Sequence, residues 1–467
     1  MSTAALNKGA IALSKIFCAD GHVLYLVGGA VRNIVLGLSE GDFDVCSAML
    51  PHQAGELLRR AGLTVIEKAL SLGTIEAHLT LNGTKYVFEH TTFRRDFYPH
   101  GGEHRPYKVE FTDDIASDAR RRDFTMNALY IDIAQNMIID PTGSGRGDIE
   151  NKTIRAAASD PSETIGDDGL RIMRMARFAA ELGFSVADDL FACARQNAAL
   201  LQDISAERKC AELKKILMAD TVYDLPKNDT PAHLRGLQIL RDIGAMPYIL
   251  PRLAEGDGVV QSKKYHAHDV LGHGISTCAA APPVLPLRLA ALMHDIGKPR
   301  ALALGGNMYG HETLGETLAR DELNGLKFDN KTKRTVLALI KNHMFDLNGK
   351  AKPKTIRKHA VLMGEEIFRM LIDLRRADFA GSGKKIGDVR SADNWASELE
   401  RMREQAVPWR VQDLKITGTE VAKVLGIVPS PKIGRILDSL FWECVMRPGQ
   451  NTPEMLKRRA KALEGNV

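Results

Sequence analysis

Cysteine is scarce and scattered: six in 467 residues, at Cys18, Cys46, Cys193, Cys210, Cys278 and Cys444. No CxxC pair and no regular spacing occurs, which argues against a disulfide framework or a zinc ribbon and fits a reducing cytoplasm. No stretch approaches ~18 uninterrupted apolar residues, so no membrane-spanning helix is expected. The opening segment, residues 1–17, lacks the basic head, unbroken apolar run and small-residue exit of a secretory signal. Lys8 and Lys15 interrupt it, and it reads as an amphipathic helix. Repeats and low-complexity tracts are also missing. Charge of one sign does not dominate: 63 Lys+Arg against 58 Asp+Glu leave a net +5, which permits a polyanionic partner without demanding one.

What is present is ordinary globular material, 44% hydrophobic and 26% charged, in a chain long enough for two to four units. Over the first ~140 residues strand and helix signals alternate. An apolar strand over 24–27 ends at Gly28-Gly29, and Ala30–Gly37 opens a helix. Residues 42–45 alternate as a strand, a helix follows over 51–60, and strands are predicted near 64–68, 74–80 and 85–92. Residues 94–112, with Pro, Gly-Gly and mixed charge, read as a mobile loop. From Gly166 the pattern is almost wholly helical, with a glycine stop at Gly183 and further helices over 205–219 and 231–246. The expected fold class is α+β: an α/β head with a mixed sheet (1–145), then a helical neck (146–255), a histidine-rich helical body (256–390) and a helical tail (391–467).

Two carboxylates carry the first chemical signal. Gly28-Gly29 stands at a strand-to-helix turn where backbone N–H groups can meet an anion. Asp42 and Asp44 follow, two apart on one strand and so on one face, as a Mg²⁺-holding pair requires. Such a pair can activate an attacking 3′-hydroxyl and neutralise a leaving pyrophosphate. Glu89, on a strand expected beside the first, is the candidate third acid. Each feature also has an ordinary reading: a tight turn, a solvated strand face.

In order, the runs at 28–32 with 42–44, at 89–96, at 121–128 and at 167–174 resemble the motifs of class II tRNA nucleotidyltransferases. These are the CCA-adding enzymes of the polymerase-β-like superfamily, whose class includes bacterial poly(A) polymerases. The likeness spans about residues 24–216, ending in Ser205–Leu217, and resumes at 413–420 and 431–437. It implies metal binding by Asp42 and Asp44, and nucleotide contacts from Gly28, Gly29, Arg32, Arg121, Arg122, Asp123 and Asn127. It implies base selection by Asp167, Asp168 and Arg171, with Arg174 and Arg177 beside them, and tRNA, CTP and ATP as partners. Asp168 and Arg171, three apart on an expected helix, would share a face and offer an acceptor and a donor to a base edge. An ordinary ion pair from Asp167 to Arg171 explains the same spacing. The chain departs from the family pattern at Asn33, Ser47, Leu72, Thr164 and Asp167.

The resemblance leaves open CCA addition, A addition alone and poly(A) synthesis. A full-length 94–111 loop favours an A-adding capability, and the basic-aromatic signature of the poly(A) enzymes is not visible around 70–80. Pro429–Arg435 is a candidate loop for RNA backbone, or a plain helix connection.

The remaining signal is histidine. His273, His294-Asp295, His311, His343 and Asp378 occur in the order that resembles an HD-family metal-dependent phosphohydrolase. The likeness implies His273, His294, Asp295 and Asp378 around one transition metal, with His311 and His343 available for a second. It also implies phosphatase or 2′,3′-cyclic phosphodiesterase work on RNA ends. Asp269 and Lys298 are candidate supporting groups. Two other classes stay in view: an HD phosphohydrolase with a non-catalytic RNA-binding head, and an RNA-binding protein without catalysis. No membrane and no protein partner is implied.

Overall fold

A computed structural model of the chain describes residues 6–39, 43–98, 106–225, 230–384, 387 and 389–464. Two compact units form, residues 1–251 and 252–467.

The first unit opens with the helix expected at its start, α1 (Lys8–Ala19), capped by the Asn7 side chain on the Ala10 N–H and burying Leu13 and Phe17. The sheet follows: β1 (Tyr25–Val27), α2 (Gly29–Leu36), β2 (Asp44–Ser47), α3 (Pro51–Arg60), β3 (Thr64–Ala69), β4 (Thr74–Leu81) and β5 (Thr84–Thr92). After β6 (Arg94–Phe97), β7 (Lys108–Phe111) and α4 (Ile115–Arg120), β8 (Tyr130–Asp132) and β9 (Met137–Ile139) complete it. Its order is β3-β4-β5-β2-β1-β8-β9. Pairing is antiparallel except between β2 and β5, so the sheet is mixed, as the alternating pattern implied. Under its centre Val27, Cys46, Phe93, Ala128 and Tyr130 pack into one buried apolar cluster.

The stretch read as a loop is only partly so. β6 and β7 pair antiparallel from Arg94 with Phe111 to Phe97 with Lys108, and Tyr107 N–H donates to Phe97 O across the end. Alternating residues such as Lys108–Phe111 suit a strand, and the Pro/Gly content that prompted the loop reading lies mainly outside the described residues.

Helices complete the unit: α5 (Gly145–Glu150), α6 (Pro161–Asp167), α7 (Leu170–Leu182), α8 (Asp188–Gln196), α9 (Ala206–Leu217), α10 (Ala232–Asp242) and α11 (Met246–Ile249). Asp160 caps α6 with Pro161 in its first turn, and α7 stops at Gly183, whose φ of 70° suits glycine.

The second unit is helical. After α12 (Pro251–Ala254) come α13 (Val270–Ala280), α14 (Leu285–Met293), α15 (Lys298–Gly305), α16 (His311–Gly325), α17 (Asn330–Asn342), α18 (Pro353–Met363) and α19 (Glu365–Gly381). The tail follows as α20 (Arg390–Glu404), α21 (Gly418–Leu425), α22 (Pro431–Met446) and α23 (Pro453–Leu463). Pro431 begins α22 with Ser430 as its cap, so Pro431–Arg435 is the first turns of a helix rather than a loop. Among the described residues no helix is long and apolar enough to cross a membrane.

Candidate active sites

Gly28 sits at φ 80°, ψ −141°, a backbone region open to glycine and strained for other residues. A Cβ there would stand 3.9 Å from Asp44 Oδ2 and 4.0 Å from Arg122 Nη1. The turn therefore brings backbone against a carboxylate and a guanidinium, at the N-terminal end of α2 where amides lack helical partners. Asp42 lies outside the described residues. Glu89 is the register partner of Asp44 across the parallel β2–β5 pair, and its Oε2 lies 3.8 Å from Lys68 Nζ.

Gly28, Gly29 and Asp44 face a cleft of about 690 Å³ whose most frequent lining residue is arginine: Arg32, Arg121, Arg122, Arg171, Arg174, Arg177 and Arg208, with Asp123, Asn127 and Asp168 among them. Each guanidinium is held. Asp118, fully buried, takes Arg121 Nε at 2.8 Å and Arg122 Nη2 at 2.9 Å, and Tyr130 OH donates to it at 2.7 Å. Burial opposes its ionisation, but the two arginines outweigh that and hold the carboxyl below the ordinary range. Asp123 is likewise buried, accepting from Arg174 Nε at 2.8 Å and Asn127 Nδ2 at 3.0 Å. Arg32 Nη1 donates to Asn127 Oδ1 at 2.8 Å and Nη2 to Tyr223 OH at 3.0 Å. Arg32, Arg174 and Arg177 all lie over the Phe178 ring, at 4.9, 5.6 and 4.2 Å from its centroid. An aromatic face tolerates crowded cations that would otherwise repel. A surface of pinned arginines with an exposed carboxylate suits a nucleoside triphosphate.

Asp168 and Arg171 do not share one helix face. The helix breaks between them: Asp168 is extended at φ −153°, ψ 104°, and α7 begins only after Gly169. Gly169 leaves no room for a side chain, since a Cβ would meet Leu200 atoms at 2.9 Å. Both residues still line the cleft. Arg208 grips Asp168 with Nη2 to Oδ2 at 2.6 Å and Nη1 to Oδ1 at 3.3 Å, and the Leu170 N–H also donates to Oδ1 at 3.1 Å. Arg171, buried, donates to Thr164 O at 2.8 Å and Arg121 O at 2.6 Å, and lies 3.5 Å from Asp167. The ordinary ion pair from Asp167 is thus also present. Asp167 borders a neighbouring cleft of about 860 Å³, along β6 and α6, that also takes in Arg95, Tyr98 and Tyr107. Burial pushes its carboxyl up to about 6 against the pull of Arg171.

Arg208, Asp118 and Tyr223 escaped sequence reading. Arg208 stands inside the quoted motif Ser205–Leu217 with no role attached. For Asp118 only its position three and four residues before two arginines on a short helix gave any signal. Tyr223, 191 residues from its partner Arg32, gave none.

In the second unit the six metal-ligand candidates come together in two trios, His273, His294 and Asp378, and Asp295, His311 and His343. Every imidazole Nδ1 meets a backbone carbonyl: His273 with Gly381 O at 3.2 Å, His294 with Ala291 O at 2.9 Å, His311 with Met308 O at 2.8 Å, His343 with Ile340 O at 2.6 Å. Carbonyls only accept, so each Nδ1 carries the proton and each Nε2 presents a lone pair. Those lone pairs converge: Nε2 to Nε2 is 3.2 Å for His273–His294 and 3.1 Å for His311–His343. Two lone pairs so close, with carboxylates beside them, call for a shared cation. Asp295 serves both trios, with Oδ2 3.2 Å from His294 Nε2 and Oδ1 3.2 Å from His311 Nε2. The donor set of imidazole and carboxylate suits a transition metal better than Mg²⁺.

Lys298 Nζ donates to Asp295 Oδ2 at 2.5 Å and Arg375 Nη1 to Asp378 Oδ2 at 2.7 Å, fixing both carboxylates. Asp269 is not part of this shell. It caps α13, accepting the Gly272 N–H at 2.7 Å, which explains an acid just before an apolar helix. Gly297 is required by space: a Cβ there would fall 2.1 Å from His311 O and 2.7 Å from Gly315 N. This close approach seats the His294–Lys298 run on the first turn of α16.

Comparison with known proteins follows the same division. Residues 24–155 match the poly A polymerase head domain, 183–225 the probable RNA and SrmB-binding site of polymerase A, and 277–378 the HD domain. The chain is 34% identical over 234 residues to a CCA-adding enzyme of Geobacillus kaustophilus, covering 50% of this chain and 52% of that protein. The match thus spans about half the length of such curated relatives. An A-adding tRNA nucleotidyltransferase of Deinococcus radiodurans is 28% identical over 429 residues, 89% of this chain and 90% of that one. The crystal structure of a Bacillus stearothermophilus CCA-adding enzyme in complex with CTP superposes with a TM-score of 0.67 at 26% identity, covering 98% of both chains. With head, RNA-binding segment and HD domain in sequence, and a solved structure following it along nearly its whole length, the chain is similar throughout to the CCA tRNA nucleotidyltransferase family.

Proposed function

We propose that the chain adds C, C and A in turn to the 3′ end of tRNA, from CTP and ATP, releasing pyrophosphate. One observation carries this: a single cleft joins Gly28 and Asp44 to Asp168 and Arg171, so a phosphate end and a base end can be held together. Asp42, Asp44 and Glu89 are the groups proposed to hold Mg²⁺, which when bound supplies activation of the 3′-hydroxyl and neutralises pyrophosphate. Arg122, fixed by Asp118 and Tyr130, and Arg174, fixed by Asp123, take the triphosphate. Asp168 accepts from an exocyclic amino group and Arg171 donates to the adjacent ring acceptor, a pattern that cytosine and adenine share on their Watson–Crick edges and that uracil and guanine lack there. The free state of all six cysteines supports a reducing cytoplasm as the place of action.

The test is incorporation of labelled CTP and ATP with Mg²⁺ onto tRNA ending before CCA, after C and after CC. Addition of two C residues and one A is expected. ATP entering only the CC-ended tRNA replaces this reading with A addition alone, long A tails replace it with poly(A) synthesis, and no incorporation overturns it.

A second activity rests on the two histidine trios. We infer phosphohydrolase action on the phosphates of RNA ends, with a transition metal supplying Lewis-acid activation of water and phosphate. Hydrolysis of a 2′,3′-cyclic nucleotide or of a terminal phosphate with Mn²⁺, Co²⁺ or Ni²⁺ is expected. Its absence with every metal, in protein shown to bind metal, removes the reading.

A further inference from the structure

The second unit has a groove that neither reading above employs. It is a cavity of about 780 Å³ along α16 and α17, lined by Arg320, Lys333, Arg334 and Lys341, with Glu316 as the one acid among its lining residues. The two helices run antiparallel. Lys333 Nζ donates to Asn324 Oδ1 at 3.0 Å near one end, and Lys341 Nζ lies 3.1 Å from Glu316 Oε2 towards the other. That second end adjoins the metal-ligand cluster, because His311 begins α16 and His343 directly follows α17. α17 is 13 residues long, so the groove follows about 20 Å of helix towards the cluster. Its other wall is apolar and open: Leu362 is 64% exposed, with Met363 and Ile367 beside it.

A row of cations on a helix is ordinarily a solvated face. Here the cations line a concavity, face an exposed apolar ledge, and lead to donors suited to phosphate-ester chemistry. Charge to hold phosphates and apolar surface for bases to lie on are the two demands of a single nucleic-acid strand. We propose that this groove holds the single-stranded end of an RNA by its phosphates and directs the terminal phosphate to the cluster around Asp295. The proposal rests on the phosphohydrolase reading for its second half, and it makes oligomeric RNA rather than a free nucleotide the preferred substrate.

The test uses the full chain and a short RNA with a terminal 2′,3′-cyclic phosphate and a photoreactive 4-thiouridine near that end. Crosslinks should map to peptides spanning residues 316–341 and 362–367. The plot of log affinity against log salt should be shallower by about 1.4 in the Lys333→Gln/Arg334→Gln variant, about 0.7 for each phosphate that is no longer neutralised. A Lys333→Arg variant, which keeps the charge, should retain the slope and report that the fold is intact. The ratio of RNA to mononucleotide hydrolysis should fall in the double glutamine variant. Crosslinks confined to other peptides, an unchanged slope, or displacement by an acidic peptide in preference to RNA would overturn the proposal. Groove crosslinks without hydrolysis of any substrate would sustain the RNA site and sink the phosphohydrolase reading alone.

Discussion

At the scale of the residue, the head cleft is a set of charges that are held before any ligand arrives. Asp44 shows its carboxylate to the cleft beside the Gly28 turn, while the acids that organise the arginines, Asp118 and Asp123, are buried. Asp44→Asn should therefore leave the fold intact and remove nucleotide incorporation. Loss of several kcal/mol of charge stabilisation corresponds to a rate drop of about 10³-fold or more, read by single-turnover incorporation. Arg208 is predicted to act on selectivity. Arg208→Ala removes both guanidinium bonds to Asp168, and losing charged hydrogen bonds of about 1.5–3 kcal/mol should erode preference for CTP and ATP over UTP by about 10- to 100-fold. Competition between labelled triphosphates measures this, and Arg208→Lys should recover only part, since lysine keeps the charge but lacks the planar fork that meets the two oxygens with two separate N–H groups. An Arg208→Ala enzyme with unaltered preference would detach Asp168 from base selection.

At the scale of the element, helix breaks and helix starts decide what the sequence could disclose. The chain was legible where chemistry and periodicity coincide. The strand ending at Gly28 and the stop at Gly183 were visible as residue types at the right spacing, and the six histidine and aspartate donors were visible through an order that resembles the HD family. Asp168 and Arg171 were not placed correctly, because three-residue spacing implies one face only if the helix is continuous. At the break Asp168 accepts the Leu170 N–H at 3.1 Å as a local cap, while Gly169 fits against Leu200, a long-range approach that no local pattern carries. The Arg208–Asp168 and Arg32–Tyr223 bonds, 40 and 191 residues apart, were hidden for the same reason.

A helix start also supplies a pH-dependent effect. Glu322, buried on α16, accepts the Arg252 N–H in the first turn of α12, and burial pushes its carboxyl up to about 7. That value lies above the unfolded one, so its stabilising contribution is whole below about pH 4.5 and is lost as pH rises through 7. At most about 3 kcal/mol is involved. Thermal unfolding from pH 5 to 8 should show the wild type losing stability relative to Glu322→Gln, and parallel curves would refute the assignment.

At the scale of the whole molecule, each candidate site lies inside one compact unit, and the two differ in the ions they suit. Oxygen donors on the sheet favour Mg²⁺, while imidazole with carboxylate favours transition metals. The two proposed activities should separate. Asp295→Asn should abolish phosphate-ester hydrolysis while CTP and ATP incorporation continues within about twofold, and Asp44→Asn should do the reverse. A chelator selective for transition metals, added in excess Mg²⁺, should reproduce the first variant. If either substitution silenced both reactions, the sites would be coupled rather than independent.

The missing side chain at Gly297 bears on how this chain can vary. One methyl group there would collide with the His311 carbonyl at 2.1 Å, and no rotamer exists to relieve a clash made by Cβ itself. A saturation library read out by each activity in turn should then give two different maps of tolerance. Position 297 would be intolerant to every replacement when selected for hydrolysis and permissive when selected for nucleotide addition. Drift at that glycine in a descendant lineage would thus record, in one codon, that hydrolysis had been abandoned while end-addition was kept.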